Sequence, residues 1–405
     1  MGLDSLPLTK ALFRMENAIH TLRIQNFKSI KDVTMQPRRV NLIIGMPNVG
    51  KSNILEAMSL LGAGLYDDRK IFLSDVLRYE TISNLFYDND TSQAIAVEAS
   101  TGSAVICAND MGGNYRFVQV SDELWRQYEI IVEKEYPNKG NSQSQVLKRM
   151  AGLRAENRFM ADVLKLSKVE KTNFSIVEAN VSDSGEATGF RTDYYTPNAL
   201  PKKYTYQPKQ PHEHEYQFLF LKPPLGHNLL TMIQRSPTLR KEIAELFKPY
   251  GLKMVLRVAE RRFEIQKNVD DFVYNYPYSL IADTLQRIIF YLAAIESNDD
   301  SVLLFEEPEA HTFPVYTSML GRKIAESRNN QFFVATHSPY LVTEILEQML
   351  PDEEQVGELA IFLAYYEDYQ TKVKQLSDEE IRDIRGDSVD IFYNMARYTP
   401  RPANG

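Results

Sequence analysis

Eight residues, Gly45-Met-Pro-Asn-Val-Gly50-Lys51-Ser52, limit what this chain can become more than any other part of it. They fit the pattern G-x-x-x-x-G-K-[S/T] without a mismatch, and they stand between a strand-like run, VNLII, and a helix-like run, SNILEAMSLLGAG. A glycine turn between a strand and a helix leaves backbone N–H groups free to wrap an anion. The lysine adds a mobile positive charge for the outer phosphates, and the hydroxyl after it is a ligand for Mg²⁺. The motif predicts a triphosphate cradle made by Gly45, Asn48, Val49, Gly50, Lys51, Ser52 and Asn53. In it Lys51 also serves catalysis and Ser52 the metal; ATP and Mg²⁺ are the expected ligands.

At 405 residues the chain is longer than the ~250–300 at which single cores stop growing. One large domain carrying an insertion, or two domains sharing a boundary, is therefore expected. With 43% hydrophobic and 25% charged residues it is neither disordered nor fibrous. The longest apolar runs, IIFYLAAI and SVLLF, are core-length and far short of the ~18 residues of a membrane span. The first residues, MGLDSLPLTKALFRMEN, lack the apolar centre of a secretory signal. A single cysteine, Cys107, cannot close an internal disulfide, which fits a reducing compartment, and the cytoplasm is the expected location. The net charge of −8 confines any DNA contact to a local basic patch.

Residues 1–14 precede the first strand-like text and read as an appendage or an upstream start, with Met15 as an alternative beginning. Residues 15–120 read as the first half of a nucleotide core, with alternating segments AIAVEAS, SAVICAND and NYRFVQV as antiparallel strands flanking it. Residues 121–215 read as an insertion: helical from Ser121 to Lys171, then a long loop from Thr196 to Tyr216 rich in Pro, Tyr and Lys. Residues 216–405 return to the core, with TLRKEIAELFKPYG and TLQRIIFYLAAIE as helices and KMVLRVAERRFEIQ as strands.

A cradle alone can only bind. Hydrolysis also needs a buried strand ending in a carboxylate for the metal, followed by a base for the water, and Ser301-Val-Leu-Leu-Phe-Glu306-Glu307 has that form. Glu306 is the candidate metal residue and Glu307 the candidate base; two solvated acids at a strand end are the alternative. The run NNQFFVATHSPYLV places His337 just past another apolar strand, so in a parallel sheet it emerges at the same edge as Glu307 and within reach of a γ-phosphate. The HEHE run at His212 to Glu215 suggests a metal only superficially, since alternating side chains in a loop are ordinarily solvated.

Together NFKSI, GMPNVGKSN, FEEPEAHTFP and THSPYLV resemble the ABC-type ATPases of the SMC, RecF and OLD group, over nearly the whole chain. The resemblance implies an α/β fold: an ABC-type P-loop NTPase head with a mixed or antiparallel β lobe and a mainly helical insertion. It implies that Glu306 and Glu307 serve metal and water and that His337 senses the γ-phosphate. It also implies a homo-oligomer in which two heads sandwich ATP between one P-loop and the other's signature motif. That motif falls at Tyr278 to Arg287, where Ser279, Asp283 and Thr284 are the polar groups at a helix start and no glycine is present.

Long coiled-coil arms do not fit the short insert, and too few residues follow His337 for a TOPRIM nuclease domain of typical size. The tail reads as a strand, a hairpin return and a helix whose acids, Asp378, Glu379 and Glu380, form a solvated start. By analogy of fold, a stand-alone ATPase of this group is expected to work with a separately encoded effector, a nuclease or toxin, in bacterial phage defence, as in PARIS and retron-associated systems. A RecF-like repair ATPase is the alternative, with seven basic residues against three acids between Lys148 and Lys171 as its DNA surface. A nucleotide-gated scaffold without hydrolysis is the third reading.

Overall fold

The computed structural model describes residues 15–66, 70–109, 113–122, 175–194, 199–208, 218–386 and 391–400. The expected appendage 1–14, the expected insertion helices from residue 123 on, the basic segment Lys148 to Lys171 and the HEHE run lie outside these residues. Along the chain, β1 (Leu22–Phe27) and β2 (Ile30–Met35) form a hairpin, and β3 (Val40–Gly45) runs into the phosphate motif and α1 (Lys51–Ser59). Then come β4 (Ile95–Ala99), β5 (Gly102–Ala108), β6 (Asn114–Ser121), β7 (Ser175–Ser182), β8 (Ala187–Tyr194) and β9 (Lys202–Tyr204). Two helices, α2 (Leu229–Arg235) and α3 (Pro237–Phe247), lead to β10 (Leu252–Arg257), β11 (Arg262–Val269) and β12 (Phe272–Pro277). The chain closes with α4 (Asp283–Ser297), β13 (Ser301–Glu306), α5 (Pro314–Glu326), β14 (Asn330–Ala335), α6 (Pro339–Met349), β15 (Leu359–Glu367), β16 (Gln370–Gln375) and α7 (Asp378–Gly386).

Among the described residues these strands make three sheets: β16-β15-β3-β14-β13-β9, β2-β1-β4-β5-β6-β7-β8 and β10-β11-β12. In the first, every neighbouring pair is parallel except β15 with β16. The other two are antiparallel throughout. A parallel sheet covered on both faces needs apolar residues at every position, which is why VNLII, VLLF and FFVA are unbroken runs. One face of it (Leu42, Ile44, Leu303, Phe305, Phe332, Val334) packs on α2 to α6. The other (Ile43, Leu304, Phe333, Ala335) packs on α1 and the seven-stranded sheet. The α/β head with an antiparallel lobe is therefore the architecture observed.

Short polar signals fix the helix starts. Ser236 and Ser338 accept from the N–H groups of Leu239 and Leu341, each followed by a proline at the first helical position. The second of these caps α6 and so holds His337 in the turn before it.

Three elements differ from the sequence reading. Within Thr196 to Tyr216 the segment Lys202–Tyr204 is a strand of the core sheet, paired parallel to β13. Within the segment read as insertion and loop, β7 and β8 extend the seven-stranded sheet. Two of the three acids opening α7 are paired, Asp378 with Arg38 at 2.6 Å and Glu380 with Lys374 at 2.7 Å, while the Ser377 N–H donates to Glu380 at 2.8 Å and Glu379 is exposed. Sequence alone could not see Arg38 as a partner, because it lies 340 positions from Asp378.

At the base of the core sheet the buried Gln331 amide satisfies both backbone groups of Ile19, donating to its carbonyl and accepting from its N–H, each at 2.8 Å. Gln331→Ala leaves a buried donor and acceptor unpaired and should lower stability by about 2–4 kcal/mol. A urea-unfolding midpoint equal to wild type would show that Ile19 finds water instead.

Candidate nucleotide site at the carboxyl edge of the parallel sheet

The glycines of the motif are required by what surrounds them. A Cβ at Gly45 would stand 2.3 Å from the Ala364 carbonyl, and one at Gly50, where φ is +93°, would stand 2.1 Å from Thr371 Oγ1. Thr371 Oγ1 donates to the Val49 carbonyl at 2.9 Å, and so accepts from Ser29 Oγ at 2.7 Å. The hairpins β1–β2 and β15–β16 thus brace the loop from behind. Lys51 opens α1 with its ammonium turned over the loop, donating to the carbonyls of Gly45 at 3.0 Å and Met46 at 2.8 Å. Burial lowers its pKa to about 8, with Glu307 acting in the opposite direction. Asn53, expected at the nucleotide, gives its amide to Ser29 Oγ at 2.7 Å.

Parallel register brings the acidic end of β13 to the same edge, since Ile43 is level with Ala335 and Ala335 with Glu306. Burial by itself would raise the Glu306 carboxyl; Lys203, the Ser52 hydroxyl and Arg78 outweigh it and hold the group below the usual carboxylate range. The buried Lys203 ammonium sits 2.9 Å from Glu306 and also donates to the Val76 carbonyl at 3.2 Å. Arg78 reaches Glu306 at 3.3 Å and donates to Glu56 at 2.7 Å. Glu56, fully buried on α1, is paired with Lys28 as well. A cavity of about 320 Å³ lies beside Glu306 and Glu307, lined also by Arg78, Lys203, Tyr206 and Arg287.

Glu307 follows in a left-handed turn, φ 42°, held by its N–H on the Ala335 carbonyl at 2.8 Å. Its half-exposed carboxylate lies 3.3 Å from His337 Nε2. Burial and the Lys51 charge lower the histidine's pKa, against the pull of Glu307, so the imidazole is neutral at neutral pH. Glu309 ties the two turns together, accepting from the Thr336 hydroxyl at 2.5 Å and the His337 N–H at 3.0 Å, and burial raises its pKa.

Lys51, Ser52, Glu306, Glu307 and His337 are thus gathered at one edge. Ser279 lies in a single 3-10 turn, and Asp283, at the start of α4, accepts at 2.8 Å from Tyr206, which lines the cavity beside Glu306 and Glu307. Neighbouring Thr284 donates to the His311 carbonyl at 3.0 Å. Sequence reasoning did not single out Lys203, Arg78, Glu56 or Glu309. Only Glu309, the third acid of FEEPEA, carried a local signal.

Among the described residues no group of three or more His, Cys, Asp or Glu forms a metal cluster. The Ser52 hydroxyl on the Glu306 carboxylate is instead an oxygen pair of the kind magnesium takes together with phosphate oxygens and water. The residues fit that ion.

A strand, a glycine loop and a helix, with acids from a neighbouring parallel strand at the same edge, define a P-loop NTPase. The chain belongs to the AAA ATPase domain family, whose sequence profile matches residues 18–206 and 278–342, more than half of its length. An ATP/GTP phosphatase of Helicobacter pylori is 20% identical over 366 residues, covering 86% of this chain and 93% of that protein. Among solved structures, an SMC head bound to the C-winged helix domain of ScpA covers 90% of this chain and 99% of its own, at 14% identity and a TM-score of 0.44. The SMC head domain of Thermotoga maritima covers 89% and 99% at 11% identity and a TM-score of 0.35.

Lys51 gives the site a pH signature. Phosphate favours the charged lysine and raises its pKa in the complex, whereas the free site loses the proton near pH 8. ATP affinity should be greatest below that pH and fall by up to about tenfold per unit above it. Equilibrium titration across the range decides; constant affinity to about pH 10 would remove Lys51 from phosphate binding.

Proposed function

We propose that this chain binds and hydrolyses ATP at the carboxyl edge of its parallel sheet. The observation that carries the reading is the joining of Ser52, from the glycine loop, to Glu306, from a distant strand, with Glu307 and His337 3.3 Å apart beside them. The loop's backbone N–H groups and Lys51 neutralise the phosphates. Ser52 and Glu306 would hold Mg²⁺, which when bound compensates charge on the outer phosphate oxygens. Glu307 orients or deprotonates the attacking water, and neutral His337 offers its Nε2 proton to Glu307 or to the γ-phosphate.

Head pairing is part of the proposal. Ser279 to Thr284 opens α4, flanked by the exposed apolar side chains of Leu280, Phe313 and Val315, a surface suited to covering another copy's nucleotide. Action as a nucleotide-driven sensor with a separate effector in phage defence rests on the family resemblance; the repair reading, with DNA as ligand, is its alternative.

Glu307→Gln should retain ATP binding and lower turnover by about 10²-fold, the scale for a positioned base; wild-type turnover in this variant would move the base elsewhere. In the same variant ATP should double the mass seen by light scattering, and adding Leu280→Arg should prevent it. Constant mass with and without ATP would contradict head pairing.

A further inference from the structure

The geometry points to a seat for the base of the nucleotide on the β15–β16 hairpin. We propose that Tyr366 and Tyr369 form a stacking subsite for the nucleobase, reading its aromatic face rather than its edge. The inference rests on the ATPase reading and extends it to the class of nucleotide accepted.

Glu306, Glu307 and His337 enter from β13 and β14, on one side of β3, so they mark where the outer phosphates lie. A nucleotide laid across Gly45 to Ser52 with that end fixed has its base on the other side of β3, where β15 and β16 are.

Register places the tyrosines there. Ala364 is level with Gly45, so Tyr366, two residues on, stands roughly 6–7 Å beyond the end of β3. Its cross-strand partner is Thr371, and directly opposed residues of an antiparallel pair point to the same face. That face is the α1 side, because Thr371 Oγ1 bonds the Val49 carbonyl and would collide with a Cβ at Gly50. Tyr366 therefore stands on the side of the sheet that carries Gly50, where Tyr87 is its neighbour, and it is 53% exposed. Tyr369 sits at the hairpin tip, 84% exposed, and the tip is pinned where the Tyr87 hydroxyl donates to the Tyr369 carbonyl at 3.2 Å. The hairpin that flanks the phosphate loop thus presents two open aromatic faces, surfaces on which a base can stack.

Stacking is tolerant, since every base has a π face. The subsite accordingly does not select by the base's edge and takes ATP and GTP alike.

The test compares binding of ATP, GTP and inorganic tripolyphosphate, each with Mg²⁺, to the full chain and to Tyr366→Ala, Tyr366→Phe and Tyr369→Ala. Tyr366→Ala should weaken ATP and GTP by about tenfold or more, Tyr369→Ala by less, and Tyr366→Phe should restore both. Tripolyphosphate, which has no base, should bind all variants as it binds wild type. Unchanged ATP affinity in both alanine variants overturns the subsite. Loss of tripolyphosphate affinity in Tyr366→Ala also overturns it, by making the ring a prop for the loop. A wild-type chain that binds neither tripolyphosphate nor ATP overturns the ATPase reading itself.

Discussion

Parallel pairing of β15, β3, β14, β13 and β9 is the constraint from which the site follows. Each strand ends at the same edge, so residues more than 250 positions apart arrive together: Gly45 from β3, Glu306 from β13, His337 from just past β14. The register is set by burial on both faces. A slip by one residue would exchange Leu304, which faces α1, with Phe305, which faces α4, and would turn Glu306 away from Ser52.

The edge is held together by charge as much as by register. Three donors from three elements meet on Glu306: the Ser52 hydroxyl, the Lys203 ammonium and the Arg78 guanidinium. Arg78 is itself held by Glu56, one turn along the helix that Lys51 opens, and Glu56 also holds Lys28 in the β1–β2 turn. The glycine loop, the antiparallel lobe and the acidic strand are thereby joined through one buried carboxylate. Breaking such a pair leaves an uncompensated charge, so the network works as a clamp rather than as independent contacts.

How much of this was legible in the sequence depended on how local each signal was. The glycine loop could be read because its chemistry is contiguous and its flanking strand and helix show in VNLII and SNILEAMSLL. The acidic strand and the hairpin tail were legible for the same reason. β9 was not, because it is three residues long, follows Pro201 and carries two lysines. Those lysines are buried only by tertiary partners: Lys202 donates to Ser301 Oγ at 2.8 Å over the Phe220 ring, and Lys203 pairs with Glu306. Asn53 shows the converse: its motif position suggests the nucleotide, and its amide here donates to the Ser29 hydroxyl in a turn far upstream, a partner that no local signal gives.

Phosphate binding centres on Lys51, a buried ammonium already drawn over the loop that would receive phosphate. The most direct test is the release of inorganic phosphate from ATP with Mg²⁺ by wild type and by Lys51→Ala, both checked for an unaltered fold. The account predicts steady release by wild type and none above background by the variant; equal release by both would contradict it.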